Sequence, residues 1–299
     1  MKRLLCLIML VLGCATYGQM KDSPYNNLSV FPMDSANLQQ ANTFEMPPWR
    51  ARRFNITAGS FFPINNTQIM VGSNERDFGT TIDLEDDLGF NDFSYSFMVN
   101  GQWRISKRSR FELEYFYLNR KSTHTLEREL EFKDHTYEVN ARVSAFFDVS
   151  IVRFFYSYAF VAKPTYEIGA LIGSHVIFGD VGMQVDTETG SAEVSDNFDF
   201  TAPIPDIGIW TDIQLSKKFG LYANANYLSL TIDNIKGRVL STNISLLYNI
   251  HNNISLKAGY NSLNFRVDVE KERLDGFFKW GYNGPMLTLT YAFGEQVKI

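Results

Sequence analysis

The chain has 299 residues, 45% of them hydrophobic, with 25 Phe and 15 Tyr, an aromatic load heavy for a soluble globule of this size. Its two cysteines, Cys6 and Cys14, both fall in the first stretch, so a mature chain carries no disulfide or thiol chemistry. The formal charge is −5; removing Lys2 and Arg3 with a leader leaves 26 basic against 33 acidic residues, a net charge of −7, which excludes the basic face that nucleic acid requires.

Met1-Lys2-Arg3 supplies a positive region, Leu4 to Leu12 an apolar core too short to span a bilayer, and Gly13 to Gly18 small residues. Together they read as a secretory signal peptide over residues 1–18, cut before Gln19. A rival cut lies before Cys14, where Val11-Leu12-Gly13-Cys14 loosely resembles a lipoprotein box. Residues 19–52 are polar and mixed, and read as an irregular periplasmic lead-in with Pro47-Pro48 near its end. No later window has the roughly 18 consecutive apolar residues of a membrane helix.

From residue 53 to residue 293 the pattern has period two. Phe54–Phe62 is the first expected strand. From Phe93 to Ile105, Phe93, Tyr95, Phe97, Val99, Trp103 and Ile105 share one face, while Ser94, Ser96, Met98, Asn100, Gln102 and Arg104 share the other. That run exceeds the usual 5–6 residues of a globular strand and suits a tilted membrane strand. The design recurs at Phe111–Tyr117, Val152–Phe160, Tyr166–Phe178, Ile207–Leu215, Leu221–Tyr227, Leu240–Ile250, Ile254–Tyr260 and Pro285–Phe293. Connections alternate between tight turns (106–109, 162–165, 216–218, 251–253) and long polar stretches (63–92, 122–142, 187–203, 269–283), apart from a short link at Asp233–Gly237. Short turns at one end and loops at the other predict an all-β, antiparallel up-and-down transmembrane β-barrel of about ten strands. The region 122–147 leaves twelve as the alternative. A soluble lipocalin-like barrel or sandwich would turn its apolar face inward.

On these features the chain resembles bacterial outer-membrane β-barrel proteins, porin-like and particularly the small barrels of Bacteroidetes-type organisms, over roughly residues 50–293. The last strand ends in Tyr291-Ala292-Phe293, similar to the terminal aromatic that barrel-assembly machinery reads, and residues 294–299 follow it as a short extension. The segment Ile82 to Phe90 (IDLEDDLGF) also resembles one recurring in barrels of this type. The resemblance implies the cell outer membrane as location, with outer-membrane lipid and the assembly machinery as partners.

Asp83, Glu85, Asp86 and Asp87 offer oxygen ligands for Ca²⁺ without EF-hand spacing, and are equally read as a solvated loop or as partners for lumen arginines. Ser174 and His175 point to opposite strand faces. His124 and His135 sit near Glu127, Glu129 and Asp134 in an expected outer loop, with no signature spacing. No catalytic, cofactor-binding or metal residue is therefore assigned. Arg104, Glu112, Glu114, Arg142, Arg153, Glu167, Asp206, Asp212 and Lys257 are placed on the inner face, where opposed charges form ion pairs that fill a narrow lumen. Trp103, Phe111, Phe160, Tyr166, Tyr222, Tyr248 and Phe293 are placed in an outer girdle near the short turns. The functional expectation is a narrow structural or surface-interaction barrel displaying extracellular loops. A small porin is the second reading and an outer-membrane hydrolase the third.

Overall fold

Alternation of side chains along extended segments dictates a sheet with two unlike faces, and the computed structural model shows that sheet closed on itself. It describes residues 46–72, 80–132, 135–186, 192–271 and 274–297. The expected leader and most of the lead-in lie outside the described residues. One helical turn, α1 (Pro48–Ala51), precedes fourteen strands: β1 (Arg52–Phe61), β2 (Ile64–Gly72), β3 (Ile82–Asp83), β4 (Ser96–Arg104), β5 (Ser109–Thr125), β6 (Leu130–Phe132), β7 (His135–Tyr137), β8 (Arg142–Ala162), β9 (Tyr166–Asp186), β10 (Ala192–Gln214), β11 (Phe219–Ile232), β12 (Ile235–His251), β13 (Ile254–Lys271) and β14 (Leu274–Gln296).

Twelve strands form one antiparallel sheet in the order β1-β4-β5-β8-β9-β10-β11-β12-β13-β14-β2-β3, closed by β1 pairing with β14. Two of the twelve add no stave. β2 continues the line of β1 along β14, after an interruption at Phe62-Pro63 where proline withholds a donor, and two-residue β3 leans on β2. The wall therefore has ten staves. The region that left twelve open instead holds β6 and β7, a hairpin of two three-residue strands that is not part of the wall and sends Leu130, Phe132 and Tyr137 into the upper core.

The expected long loops are mostly strand. β8 and β9 have 21 residues each, β10 and β14 have 23, and the stretches expected as loops at 187–203 and 269–283 are largely taken up by the ends of β10, β13 and β14, whereas 122–142 holds the end of β5 and the β6–β7 hairpin. At about 3.3 Å per residue, such strands run about 70 Å, or about 50 Å along an axis to which they tilt by 40–45°. An outward apolar band needs only about 25 Å. The surplus is accommodated by inverting the polarity of the wall halfway up.

Strand β13 shows the inversion most plainly. Near its turn end Ile254, Leu256, Ala258 and Tyr260 face outward and Ser255, Lys257 and Asn261 inward; farther up Ser262, Asn264, Arg266 and Asp268 face outward and Leu263, Phe265 and Val267 inward. β8 repeats it, with Phe154, Tyr158 and Phe160 exposed below and Val143, Ala145, Phe147, Val149 and Ile151 buried above. The upper half is thus built like a water-soluble barrel, with a core of Phe61, Phe116, Phe147, Phe265, Trp280 and their neighbours. Trp280 lies edge-on to Phe147 and Phe265 at 5.5 and 6.0 Å, the tilted geometry favoured by aromatic quadrupoles.

Outside the lower half, Phe293, Phe54, Trp103, Phe111 and Tyr156 form a chain of ring contacts at 5.2–6.4 Å across five staves. Tyr222 departs from the expected girdle. It shares the lumen-facing phase of Asn224 and Asn226, and Asn224 Nδ2 donates to its hydroxyl at 3.0 Å. The residues after Phe293 are also part of the wall: Gly294, at φ +85°, forms a bulge that lets Gln296 pair with Arg52, and Val297 N–H donates to Ala51 O.

Candidate functional site

Function in a narrow barrel depends on what fills its lumen, and here the lumen has three tiers. The lowest begins with α1, where Pro48 presets the helical φ and turns Trp49 and Arg50 into the barrel base. Both side chains are buried, in a stretch expected as an irregular lead-in. Arg50 donates from Nη1 to Pro164 O (2.9 Å) and from Nη2 to Lys163 O (2.8 Å), and lies 3.7 Å from both Glu167 and Asp212. Arg104 reaches Glu167 from three staves away with a bidentate pair at 2.8 Å each, a geometry that adds direction to charge. Arg110 pairs with Glu112 (3.0 Å) and stacks 3.7 Å over Trp210 on the far wall.

The second tier holds Arg153 with Glu114 (2.7 Å), which are directly opposite across β5 and β8, and His175 with Asp206 (3.2 Å). Asn226 Nδ2 donates to the same Asp206 carboxylate at 3.0 Å. Lys257 lies 4.8 Å from the Tyr222 ring. The two signs balance: Arg50, Arg104, Arg110, Arg153 and Lys257 face Glu112, Glu114, Glu167, Asp206 and Asp212. The space left among these groups is about 90 Å³, room for a few water molecules and no larger solute.

The third tier is a plug. In residues 84–93, Leu84, Leu88 and Phe90 join the upper core, while Asn91, Asp92 and Phe93 stay exposed along the edge of β2. Glu85 is its latch: one carboxylate oxygen accepts from Thr67 N–H (2.7 Å), the other from Thr67 Oγ1 (3.0 Å) and Arg120 Nη2 (2.7 Å). Arg120 also donates to Thr67 Oγ1 (3.1 Å) and Asn91 O (3.0 Å). Gly89 has φ +64°, a conformation that favours glycine, and a Cβ there would stand 2.8 Å from the ring of His124 and displace it.

The acidic run is spent on this plug. Glu85 holds Arg120, Asp83 Oδ1 accepts from the N–H of Glu85 and Asp86 at 3.1 Å each, and Asp87 accepts from Arg128 Nε at 2.7 Å. Burial pushes the Asp87 carboxyl up, but hydrogen bonds from Arg128 and the Asp83 backbone outweigh it and hold the group below the usual carboxylate range. Its stabilisation is present above the unfolded carboxylate value of about 3.9 and is lost as pH falls through the lower folded value. Protease susceptibility at Arg128 should therefore rise on acidification only below that ordinary range, and Asp87→Asn should raise it already at neutral pH.

Eight of the nine charges expected in the lumen are there. Arg142 is not: on β8 the odd residues face inward, so Arg142 is exposed beside buried Val143. Arg50, Arg110 and Arg120 are additions. Arg110 shares the phase of Glu112 and Glu114, so its signal was present in the sequence. Ser174 and His175 do point apart, and Ser174 donates to Ile204 O at 3.2 Å. His124 lies on β5 against Gly89, His135 lies on β7, and Asp134 falls outside the described residues.

A closed antiparallel ring with an outward apolar band over half its height defines the outer-membrane β-barrel fold. No protein-family model and no curated protein matches the sequence. Among solved structures, the outer-membrane protease OmpT of Escherichia coli is 10% identical, covers 80% of this chain and 97% of its own, and superposes with a TM-score of 0.51. The translocator domain of the autotransporter NalP from Neisseria meningitidis is 12% identical, covering 87% of this chain and 92% of its own, with a TM-score of 0.44. OmpT is an outer-membrane protein, and its likeness to this chain is one of fold.

Proposed function

We propose that this is an integral protein of the outer membrane of a Gram-negative, Bacteroidetes-type bacterium, a closed barrel that works as a structural and surface-interaction element. Residues 1–18 export it, barrel-assembly machinery inserts it, and lipid surrounds the lower half. The turn end with both termini faces the periplasm, and the upper half with the β6–β7 hairpin stands outside the cell. The observation that carries this reading is the occupied lumen: charge-balanced side chains below, an apolar core and a latched plug above. Such a barrel passes no solute, which sets it apart from a small porin.

The hydrolase reading has less support. The His175–Asp206 pair is sealed inside the wall, and His124 is occupied against Gly89. In planar bilayers the refolded mature chain should give a silent membrane at neutral pH. Stable, ohmic current steps would replace this reading with the porin.

A further inference from the structure

Among the described residues the upper wall has two unpaired edges: one between β2 and β5, covered by residues 82–94, and an open seam between β10 and β11. β10 and β11 are paired from Gln214↔Gly220 up to Ile207↔Tyr227 and no farther, although β10 continues upward paired to β9 and β11 continues paired to β12. The cause is written in β10. Leu215 N–H donates to Phe219 O next to β11, and Gln214 N–H donates to Thr165 O next to β9, so the odd residues of β10 address β11. The next two odd residues above Ile207 are Pro205 and Pro203, which have no N–H to give. The seam is therefore unzipped by sequence.

Behind it lies a cavity of about 620 Å³, the size of a site for one small ligand. Phe200, Phe265 and Phe278 make its floor, with rings 4.9–5.2 Å apart. Leu228 and Leu230 edge its mouth, and Leu230, in the phase that is buried on other staves, is 42% exposed. The mouth sits at the upper border of the outward apolar band, directly above exposed Ile207 and Tyr227. Beside it the outer face carries two cations, Arg238 opposite Ser229 and Lys236 opposite Thr231; across on β13 Arg266 pairs with Asp268, and Asp233 is the acid at the mouth.

We propose that this chamber binds the single acyl chain of an anionic amphiphile, which enters sideways through the β10–β11 seam and keeps its head at Arg238 and Lys236. An apolar chamber opening at the edge of an apolar band meets a chain at the depth where lipid chains begin, and the adjacent cations match an anionic head. The volume suits one chain and not a two-chain lipid. The membrane placement proposed above explains how the ligand arrives; binding itself is read on the isolated barrel, so this inference and the closed-barrel reading fail separately.

The test uses the refolded mature chain in amphipol with 11-(dansylamino)undecanoic acid as probe. Saturable, one-site, blue-shifted fluorescence is expected, displaced by palmitate. Ala202→Trp fills the chamber and Leu230→Trp covers its mouth; each should weaken binding about tenfold or more. Leu230 is already half exposed, so that variant keeps the test valid if the first misfolds, with heat-modifiable gel migration reporting the folded barrel. Lys236→Glu with Arg238→Glu should weaken the probe by several fold while leaving an uncharged dansylated alcohol unaffected. Absence of saturable binding, or binding unchanged by Leu230→Trp or by the charge reversal, would overturn the proposal.

Discussion

Glu167→Ala is expected to cost the barrel about 3–5 kcal/mol, the range for removing one partner of a buried ion pair. Glu167 is fully buried and is the meeting point of two guanidinium groups, Arg104 through two hydrogen bonds and Arg50 at 3.7 Å. Its loss leaves Arg104 without its carboxylate and Arg50 with Asp212 alone, and cuts the strut that ties β4 to β9 across the lumen. Glu167→Gln keeps the shape and part of the hydrogen bonding, and should cost less. The midpoint of urea unfolding in lipid vesicles, followed by heat-modifiable migration, reads the difference. A near-neutral Glu167→Ala would mean that water, not Arg104, occupies that position.

Arg120→Ala should cost a similar amount, about 3–5 kcal/mol, for a different structural reason. Arg120 and Glu85 are both nearly buried, and Arg120 ties the plug to β2 through Thr67 and to its own loop through Asn91. Without it the Glu85 carboxylate stays in the core with Thr67 as its partner. The double replacement Arg120→Met with Glu85→Leu should recover most of the loss, because an apolar pair in an apolar core avoids both desolvation costs. Additive losses in that double variant, measured by the same unfolding midpoints, would contradict the latch.

The lower half of the wall was legible in the sequence because one period-two pattern, apolar out and polar in, holds from each tight turn upward. The upper half was not, for a physical reason visible in β13. After Tyr260 the alternation continues through Ser262, Leu263, Asn264 and Phe265, but with the faces exchanged. A reading that follows one polarity ends the strand there, and so took the upper ends of β10, β13 and β14 for loops. Pro203 and Pro205 lie in the part of β10 that one polarity hides, and they mark a strand whose neighbour has let go. Arg50 had no periodic frame to place it, and its position depends on α1 folding back into the base. Tyr222 shows the reverse error: its closeness to a turn suggested a girdle, whereas the phase it shares with Asn224 and Asn226 already put it inside. The role of the IDLEDDLGF segment as a plug was not legible, because it needed Arg120 and Thr67 beside it.

The two-tier polarity of the wall is the claim on which the membrane reading stands, and β13 offers the most direct test. With native cysteines only at positions 6 and 14, nitroxide labels can be placed singly at Leu256, Tyr260, Asn264 and Asp268 in the mature chain reconstituted in vesicles. Leu256 and Tyr260 should be accessible to oxygen and shielded from a water-soluble nickel chelate, and Asn264 and Asp268 should show the opposite. Equal exposure of all four labels to the nickel chelate would contradict a lipid-embedded lower half, and oxygen accessibility continuing through Asp268 would contradict the inversion.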